Sequence, residues 1–81
     1  YEILFTDKAK KQLKKLEHNI QERILEALAR IRVRPEVYIT KLVNDEAYKF
    51  RVGDYRLFMD VDKGRLILLV IKLGHRKNIY K

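Results

Sequence analysis

Residues 47–56, AYKFRVGDYR, constrain the fold most strongly, because they predict a β-hairpin whose register can be read from the sequence. Apolar side chains alternate with polar or small ones up to Gly53-Asp54, and a new strand begins at Tyr55. This period of two is typical of a half-buried strand, and glycine readily adopts the positive φ of a tight two-residue turn. The resulting register places Arg51 directly opposite Arg56.

The hairpin is predicted to have one apolar and one basic face, because directly opposite residues share a face of a sheet. The apolar face, expected in the core, carries Tyr48, Phe50, Val52, Tyr55, Leu57 and Met59. The other face carries Lys49, Arg51, Arg56 and Phe58. Two arginines side by side without an intervening acid repel each other. An anionic ligand is therefore expected to bind on the basic face.

The segments before the hairpin predict a strand and two helices. Residues 1–5 form a short apolar run, and Thr6 can cap the helix that follows. The second helix is predicted to start at a capping box, Asn19 with Glu22, and to end near residue 34 before a proline. The short link between the helices implies an antiparallel pair. The lysines of the first helix fit either a solvated surface or a phosphate-contacting one.

The last strand is predicted over residues 66–73, after a turn with Gly64 at the positive-φ position. One of its faces, expected to meet the helices, carries Leu66, Leu68 and Val70. The other face, expected to continue that of Phe58, carries Ile67, Leu69, Ile71 and Leu73. Helices on one side only would leave this second face exposed, and an exposed apolar patch usually marks a protein-binding surface.

Together these elements predict an α+β fold. An antiparallel helical hairpin packs on one face of a roughly four-stranded, mostly antiparallel sheet, and residues 1–81 form a single domain.

The composition limits the possible functions. Nineteen Lys and Arg against 11 Asp and Glu give a net charge of +8, which suits a nucleic-acid binder or a protein with an acidic partner. Without cysteine and with only two histidines, no disulfide, metal site or small-molecule cofactor is expected. No apolar run is long enough to span a bilayer and no signal-peptide pattern is present. A soluble, cytoplasmic protein without membrane contact is the expectation.

The candidate chemistry lies in the basic face and the C-terminal segment. Lys49, Arg51 and Arg56 are expected to lie near His75, Arg76 and Tyr80. Arginine forks bind phosphate oxygens and stabilise a charged transition state. Internal attack by an RNA 2′-hydroxyl needs only deprotonation, charge stabilisation and leaving-group protonation. RNA cleavage and simple nucleic-acid binding therefore both remain open. Further RNA contacts are predicted at Lys41, Phe58, Lys77 and Lys81.

Several segments resemble a known family over essentially the whole chain. They are YEILFT, AKKQLKKL, RVRPEVYITKL, YKFRVGDYRLFMDVD and GHRKNIY, in the order strand, two helices and antiparallel strands. In these segments the chain is similar to RelE-type toxins of the RelE/ParE toxin–antitoxin superfamily. The resemblance implies a metal-independent endoribonuclease that cuts mRNA in the ribosomal A site and is silenced by an acidic, RelB-like antitoxin. ParE-like members share this fold but poison DNA gyrase, which is the alternative.

The resemblance also implies roles for individual residues. Lys49 and Arg51 match basic positions of the family's active site. Arg56 matches the arginine that stabilises the transition state. Arg76 matches the arginine proposed to protonate the leaving 5′-oxygen, and Tyr80 matches the tyrosine that orients or stacks a base. ParE-like members often lack the complete basic set, so its presence here favours the ribonuclease branch.

The sequence departs from the family pattern at two positions. Arg51 stands where better-studied members carry a lysine proposed as general base, and a guanidinium does not release its proton readily. His75 or a desolvated Lys49 is the better candidate base. Met59 stands where related toxins often have tyrosine, which weakens stacking on the substrate. The antitoxin is expected to cover either Ile67, Leu69 and Ile71 or the helical hairpin.

Overall fold

Five strands and three helices follow one another along residues 1–79, the part of the chain that the computed structural model describes. They are β1 (Glu2–Phe5), α1 (Asp7–Lys14), α2 (His18–Ile31), β2 (Thr40–Lys41), β3 (Tyr48–Val52), β4 (Tyr55–Asp62), β5 (Ile67–His75) and α3 (Arg76–Ile79), with a 3-10 turn at Pro35–Val37. The sheet order is β1-β5-β4-β3-β2, with β1 parallel to β5 and the other pairs antiparallel. The α+β prediction is confirmed. The fifth strand, β2, lies in a segment predicted to be a connection.

The β3–β4 hairpin has the predicted register. Arg51 pairs with Arg56 and Val52 with Tyr55, while Gly53 has a φ of 58°. The face of Phe50 packs against α1 and α2 in one core. The largest fully buried side chains of that core are Ile24, Leu28, Ile31, Leu57, Met59, Leu68, Val70 and Leu73. The opposite face of β3 and β4 is therefore left for the basic residues.

The two long helices begin and end for different reasons. Thr6 Oγ1 accepts a hydrogen bond from the Ala9 N–H at 3.1 Å, so the predicted cap of α1 is confirmed. The capping box predicted for α2 is wrong, because this helix begins at His18 without a side-chain cap. Glu22 instead ion-pairs with the His18 ring at 2.9 Å. α2 ends at Ile31, earlier than predicted, and a 3-10 turn that begins with the buried Pro35 follows it. None of the helices in residues 1–79 is long and apolar enough to cross a bilayer.

A β-bulge interrupts the pairing of β4 with β5. Phe58 pairs with Lys72 while Met59 pairs with Val70, so Ile71 is the extra residue of β5. An extra residue in one strand inverts the alternation of side chains beyond it. Before the bulge, the β5 residues lie on the sheet faces predicted from the sequence. After the bulge, each β5 residue lies on the opposite face from the predicted one.

The predicted position of Leu73 on the Phe58 face is therefore wrong. Leu73 pairs with Leu57 and is buried in the core. Helix α1 holds the bulge in place through two side chains. The Thr6 hydroxyl donates to the Ile71 carbonyl at 2.6 Å, and Gln12 Oε1 accepts from the Leu73 N–H at 2.8 Å.

The β4–β5 turn also differs from the prediction. Leu66, with a φ of 56°, has the positive φ that was expected at Gly64, and its side chain is exposed outside the strand. The Asp62 carboxylate closes the turn by accepting from the Arg65 backbone N–H at 3.0 Å and from Arg65 Nε at 2.8 Å. The backbone hydrogen bond from Arg65, followed by the bond from its side chain, lowers the pKa of Asp62.

Candidate phosphate-binding cleft

Five cationic side chains converge on the sheet face opposite α1 and α2, where they line an open cleft of about 610 Å³. The lining residues are Tyr38, Thr40, Lys49, Arg51, Arg56, Arg76 and Lys77. No carboxylate is among these lining residues, so the cleft offers positive charge and hydrogen-bond donors to an anion. Within residues 1–79, no three His, Cys, Asp or Glu side chains cluster closely enough to hold a metal ion.

The turn of the β3–β4 hairpin positions two of these arginines. Arg56 Nη1 donates to the carbonyl oxygens of Gly53 and Tyr55, each at 3.1 Å. The Arg76 backbone N–H donates to the Asp54 carbonyl at 2.8 Å, which ties the start of α3 to the same turn. Arg76 Nε lies 3.9 Å from Asp54 Oδ1, too far for a hydrogen bond. Both guanidinium groups therefore keep donors available for a ligand.

Lys49 and Arg51 complete the basic face of β3. Lys49 lies between Thr40 on β2 and Phe58 on β4, and Arg51 lies opposite Arg56. Among the described residues neither Lys49 nor Arg51 has an ion-pair partner. The repulsion between these neighbouring charges is not relieved by the protein itself, so a bound anion would stabilise the folded state.

His75 does not line the cleft, contrary to the prediction. It pairs with Tyr55 on the sheet face that carries the helices, and the two rings meet edge to face with centroids 5.4 Å apart. Its Nδ1 accepts a hydrogen bond from the Lys77 backbone N–H at 3.1 Å. The bulge at Ile71 explains the difference, because it turns every β5 residue beyond it to the opposite face.

The other predicted RNA contacts are only partly brought together. Lys77 lines the cleft, but Lys41 pairs with Tyr48 and lies in a separate depression beside two acidic residues. Phe58 is buried, with 7% exposed, and the Lys72 ammonium lies 4.8 Å from its ring centroid. This ring is a poor platform for an RNA base, contrary to the prediction. The predictions for Tyr80 and Lys81 fall outside the described residues.

Two cleft residues were not predicted from the sequence. Tyr38 follows the 3-10 turn and is 49% exposed, and Thr40 lies beside Lys49. The hydrogen bond from the Tyr38 N–H to the Pro35 carbonyl, at 2.9 Å, fixes the backbone that presents the ring. Thr40 could have been recognised only through its strand pairing with Lys49. A strand of two residues is too short to show the period of two by which strands are predicted from sequence.

A second surface lies on the same sheet face, at the β1 end. Leu4, Ile67 and Leu69 line a groove of about 720 Å³ together with charged residues of β4 and its following turn. Leu4 is 40% exposed and pairs with Leu69, so the apolar patch is wider than the sequence indicated. Ile71, predicted with Ile67 and Leu69, lies at the bulge and does not line this groove.

Comparisons with known proteins identify the family. A family model, described as the ParE toxin of type II toxin–antitoxin system, parDE, matches residues 3–80. The fold is similar to the RelBE2 toxin–antitoxin complex from Mycobacterium tuberculosis, with 25% identity, a TM-score of 0.87 and coverage of 96% of this chain and 93% of that chain. No curated protein has a significantly similar sequence.

Two further solved structures have the same fold. The intact Escherichia coli RelBE complex is 26% identical, with a TM-score of 0.79 over 93% of this chain and 95% of that chain. The RelB–RelE antitoxin–toxin complex from Methanococcus jannaschii is 25% identical, with a TM-score of 0.75 over 96% and 95%. The resemblance found in the sequence is thereby confirmed. The chain belongs to the ParE toxin family and is a type II toxin of the RelE/ParE superfamily.

Proposed function

We propose that this toxin is a metal-independent endoribonuclease that cleaves mRNA in the ribosomal A site and so inhibits translation. One observation carries the proposal: Lys49, Arg51, Arg56 and Arg76 share a single cleft that no carboxylate lines. A phosphodiester entering this cleft would meet donors from two strands and from the start of α3. Such preorganised donors stabilise the charge that grows on a pentacoordinate phosphorus.

In the proposed reaction the RNA 2′-oxygen attacks the adjacent phosphorus. Lys49 in its neutral form accepts the 2′-hydroxyl proton, because the arginines beside it hold their own protons too tightly. Arg56 and Arg51 stabilise the phosphorane oxygens. The bond to the 5′-oxygen then breaks, Arg76 stabilises the negative charge on that oxygen, and the proton taken up by Lys49 is passed to it through water. The products are a 2′,3′-cyclic phosphate and a free 5′-hydroxyl, and Tyr80 is proposed to hold a base.

The test is a reconstituted translation reaction with ribosomes and a defined mRNA, followed by mapping of the cut sites and the end groups. We expect cleavage within the A-site codon, leaving a 2′,3′-cyclic phosphate. Arg56→Ala and Arg76→Ala should each lower the cleavage rate roughly 10²–10³-fold, the range for removing one preorganised donor. Arg65→Ala, which removes an arginine outside the cleft, is the matched control. Wild-type rates in both cleft variants would reject the proposed site.

The family match favours a second candidate, inhibition of DNA gyrase, because the matching model is that of ParE toxins. In that case the basic cleft would be a docking surface without nuclease activity. The two functions separate in one comparison. Intact mRNA and normal translation together with inhibited gyrase supercoiling would support the gyrase function, whereas A-site cleavage with unaffected gyrase would exclude it.

An acidic, RelB-like antitoxin is the proposed protein partner. The solved relatives include RelB–RelE complexes from a bacterium and an archaeon. We propose that the antitoxin packs apolar side chains against Leu4, Ile67 and Leu69 and extends past Ile71 toward the cleft. Its acidic residues would then neutralise the cationic side chains there and exclude RNA.

A further inference from the structure

A second basic cleft, not assigned by the proposed function, adjoins the first one. It has a volume of about 450 Å³ and lies between α2 and the end of β3. Arg23, Glu26 and Arg30 contribute from α2, and Gly53 closes one end. Tyr38 and Arg51 line both this cleft and the phosphate-binding cleft. The exposed ring of Tyr38 and the side chain of Arg51 therefore form the border that the two clefts share. The new cleft is called the α2 cleft below.

The cations of the α2 cleft are not neutralised by the protein. Glu26 lines the same cleft, yet within residues 1–79 neither Arg23 nor Arg30 forms an ion pair with it or with another acid. The Arg23 guanidinium lies against the hairpin turn, with Nη2 3.1 Å from where a side-chain carbon at Gly53 would stand. The turn that holds Arg56 and Arg76 on one side thus has a third arginine on its other side.

The order of groups across the two clefts is cations, aromatic ring, cations. Single-stranded RNA has the complementary order, because its phosphates alternate with bases that can unstack onto aromatic side chains. An acidic peptide would match the charges but would not need the exposed ring of Tyr38. This distinction favours RNA as the occupant.

We propose that the α2 cleft is a second RNA subsite, in which Arg23 and Arg30 bind the phosphate next to the cleaved one and Tyr38 stacks on the base between them. The inference rests on the proposed ribonuclease function and extends it to a specificity-determining contact. Arg51 contributes to both subsites from the edge of the sheet.

The test measures binding of two non-cleavable 2′-O-methyl RNAs to the purified toxin. One is a dinucleotide with a single phosphate, and the other is a pentanucleotide that can reach both clefts. Arg23→Gln and Arg30→Gln should each weaken pentanucleotide binding about fivefold. The double variant should reduce the slope of log K against log salt by about 0.7, the value for one lost phosphate contact on a single strand. Dinucleotide binding should stay unchanged. Lys63→Gln removes the same charge at the far end of β4 and should affect neither RNA.

Tyr38 supplies an independent readout of the same subsite. Tyr38→Ala should weaken pentanucleotide binding by about fivefold or more, the effect of losing one stacked base. Tyr38→Phe should bind the pentanucleotide with wild-type affinity, because phenylalanine keeps the stacking surface. A phenylalanine variant as weak as the alanine variant would contradict stacking.

The outcomes separate the subsite from the function on which it rests. Weaker binding of both RNAs by Arg56→Ala, with Arg23→Gln and Arg30→Gln indistinguishable from Lys63→Gln, would overturn the second subsite alone. Wild-type protein that binds neither RNA would overturn the second subsite, whereas the translation assay tests the ribonuclease function by itself. A glutamate-rich peptide with the charge of the pentanucleotide tests the other occupant. If Arg23→Gln weakens peptide and RNA binding equally, and Tyr38→Ala weakens neither, the α2 cleft is not an RNA site.

Discussion

The carbonyl groups of Gly53 and Tyr55 fix the position of the Arg56 guanidinium, and the carbonyl group of Asp54 fixes the start of α3. The orientation of the cleft's arginines therefore depends on the backbone conformation of a two-residue turn. This conformation requires a positive φ at Gly53.

The positive φ of Gly53 makes the turn sensitive to substitution. Gly53→Ala should destabilise the protein by about 1–2 kcal/mol, because a side chain is disfavoured at a φ of 58° and would also press on Arg23. Thermal or urea unfolding measures the loss. Gly64→Ala is the matched control, since Gly64 lacks a positive φ and its added carbon would meet only an Asp62 oxygen at 3.5 Å. Equal stability of the two variants would contradict the role assigned to the turn.

Two substitutions distinguish Lys49 from His75 as the general base. Lys49→Gln should abolish most cleavage in the translation assay, because it removes the cleft group proposed to accept the 2′-hydroxyl proton. His75→Gln should keep cleavage within about an order of magnitude of wild type, because the ring lies against Tyr55 on the other sheet face. The reverse pattern, with an inactive His75 variant that still folds, would reassign the base.

At the scale of elements, the contacts that hold the bulge are long-range. Thr6 and Gln12 belong to the N-terminal third of the chain, yet they bond to the backbone of β5 around Ile71. These two hydrogen bonds join α1 and its cap Thr6 to the part of β5 where the side-chain alternation is inverted.

Thr6→Val tests this coupling. The substitution keeps the shape of the side chain but removes the α1 cap and the hydrogen bond to the Ile71 carbonyl, so we expect a loss of about 1–3 kcal/mol in the free energy of unfolding. Thr6→Ser retains both bonds and should stay close to wild type. A valine variant as stable as the serine variant would show that the bulge does not depend on α1.

The register of the β3–β4 hairpin, and with it the shared sheet face of Lys49, Arg51 and Arg56, could be predicted from the sequence. The β3–β4 hairpin was predicted in full because its turn and its paired residues are neighbours in sequence.

The bulge is contacted by Thr6 and Gln12, which lie far from β5 in the sequence, so no local sequence pattern indicates it. Because this extra residue was not predicted, Leu73 and His75 were both assigned to the wrong face of the sheet. The position of Lys41 was missed for a different reason. Its sheet face depends on β2, a strand of two residues that the sequence does not predict.

In the whole molecule, the sheet face opposite the helices has two ends that differ in the side chains they expose. The cleft end carries the clustered cations, whereas the β1 end presents Leu4, Ile67 and Leu69 beside charged residues of both signs. One partner can engage both ends only if it combines apolar and acidic groups along its length.

This division predicts the effect of a charge placed in the apolar groove. Leu69→Glu should weaken binding of the cognate antitoxin by about tenfold or more while leaving A-site cleavage intact, because the residue lies away from the cleft. Leu25→Glu places the same charge on α2, where the side chain is 45% exposed, and tests the helical hairpin as the docking surface. Calorimetric titration distinguishes the two. Loss of affinity only in the Leu25 variant would move the antitoxin to the helices.

The bulge in β5 also has an evolutionary consequence. On the proposed assignment, residues upstream of Ile71 meet a partner whose sequence can change, whereas Arg76 beyond the end of the strand serves a reaction that cannot. Because Thr6 and Gln12 anchor the backbone between them, we expect substitutions that change partner choice to leave the register of the reactive end unchanged. Duplicated copies of such a toxin can therefore diverge into toxin–antitoxin pairs that do not cross-react, while each toxin retains the same chemistry.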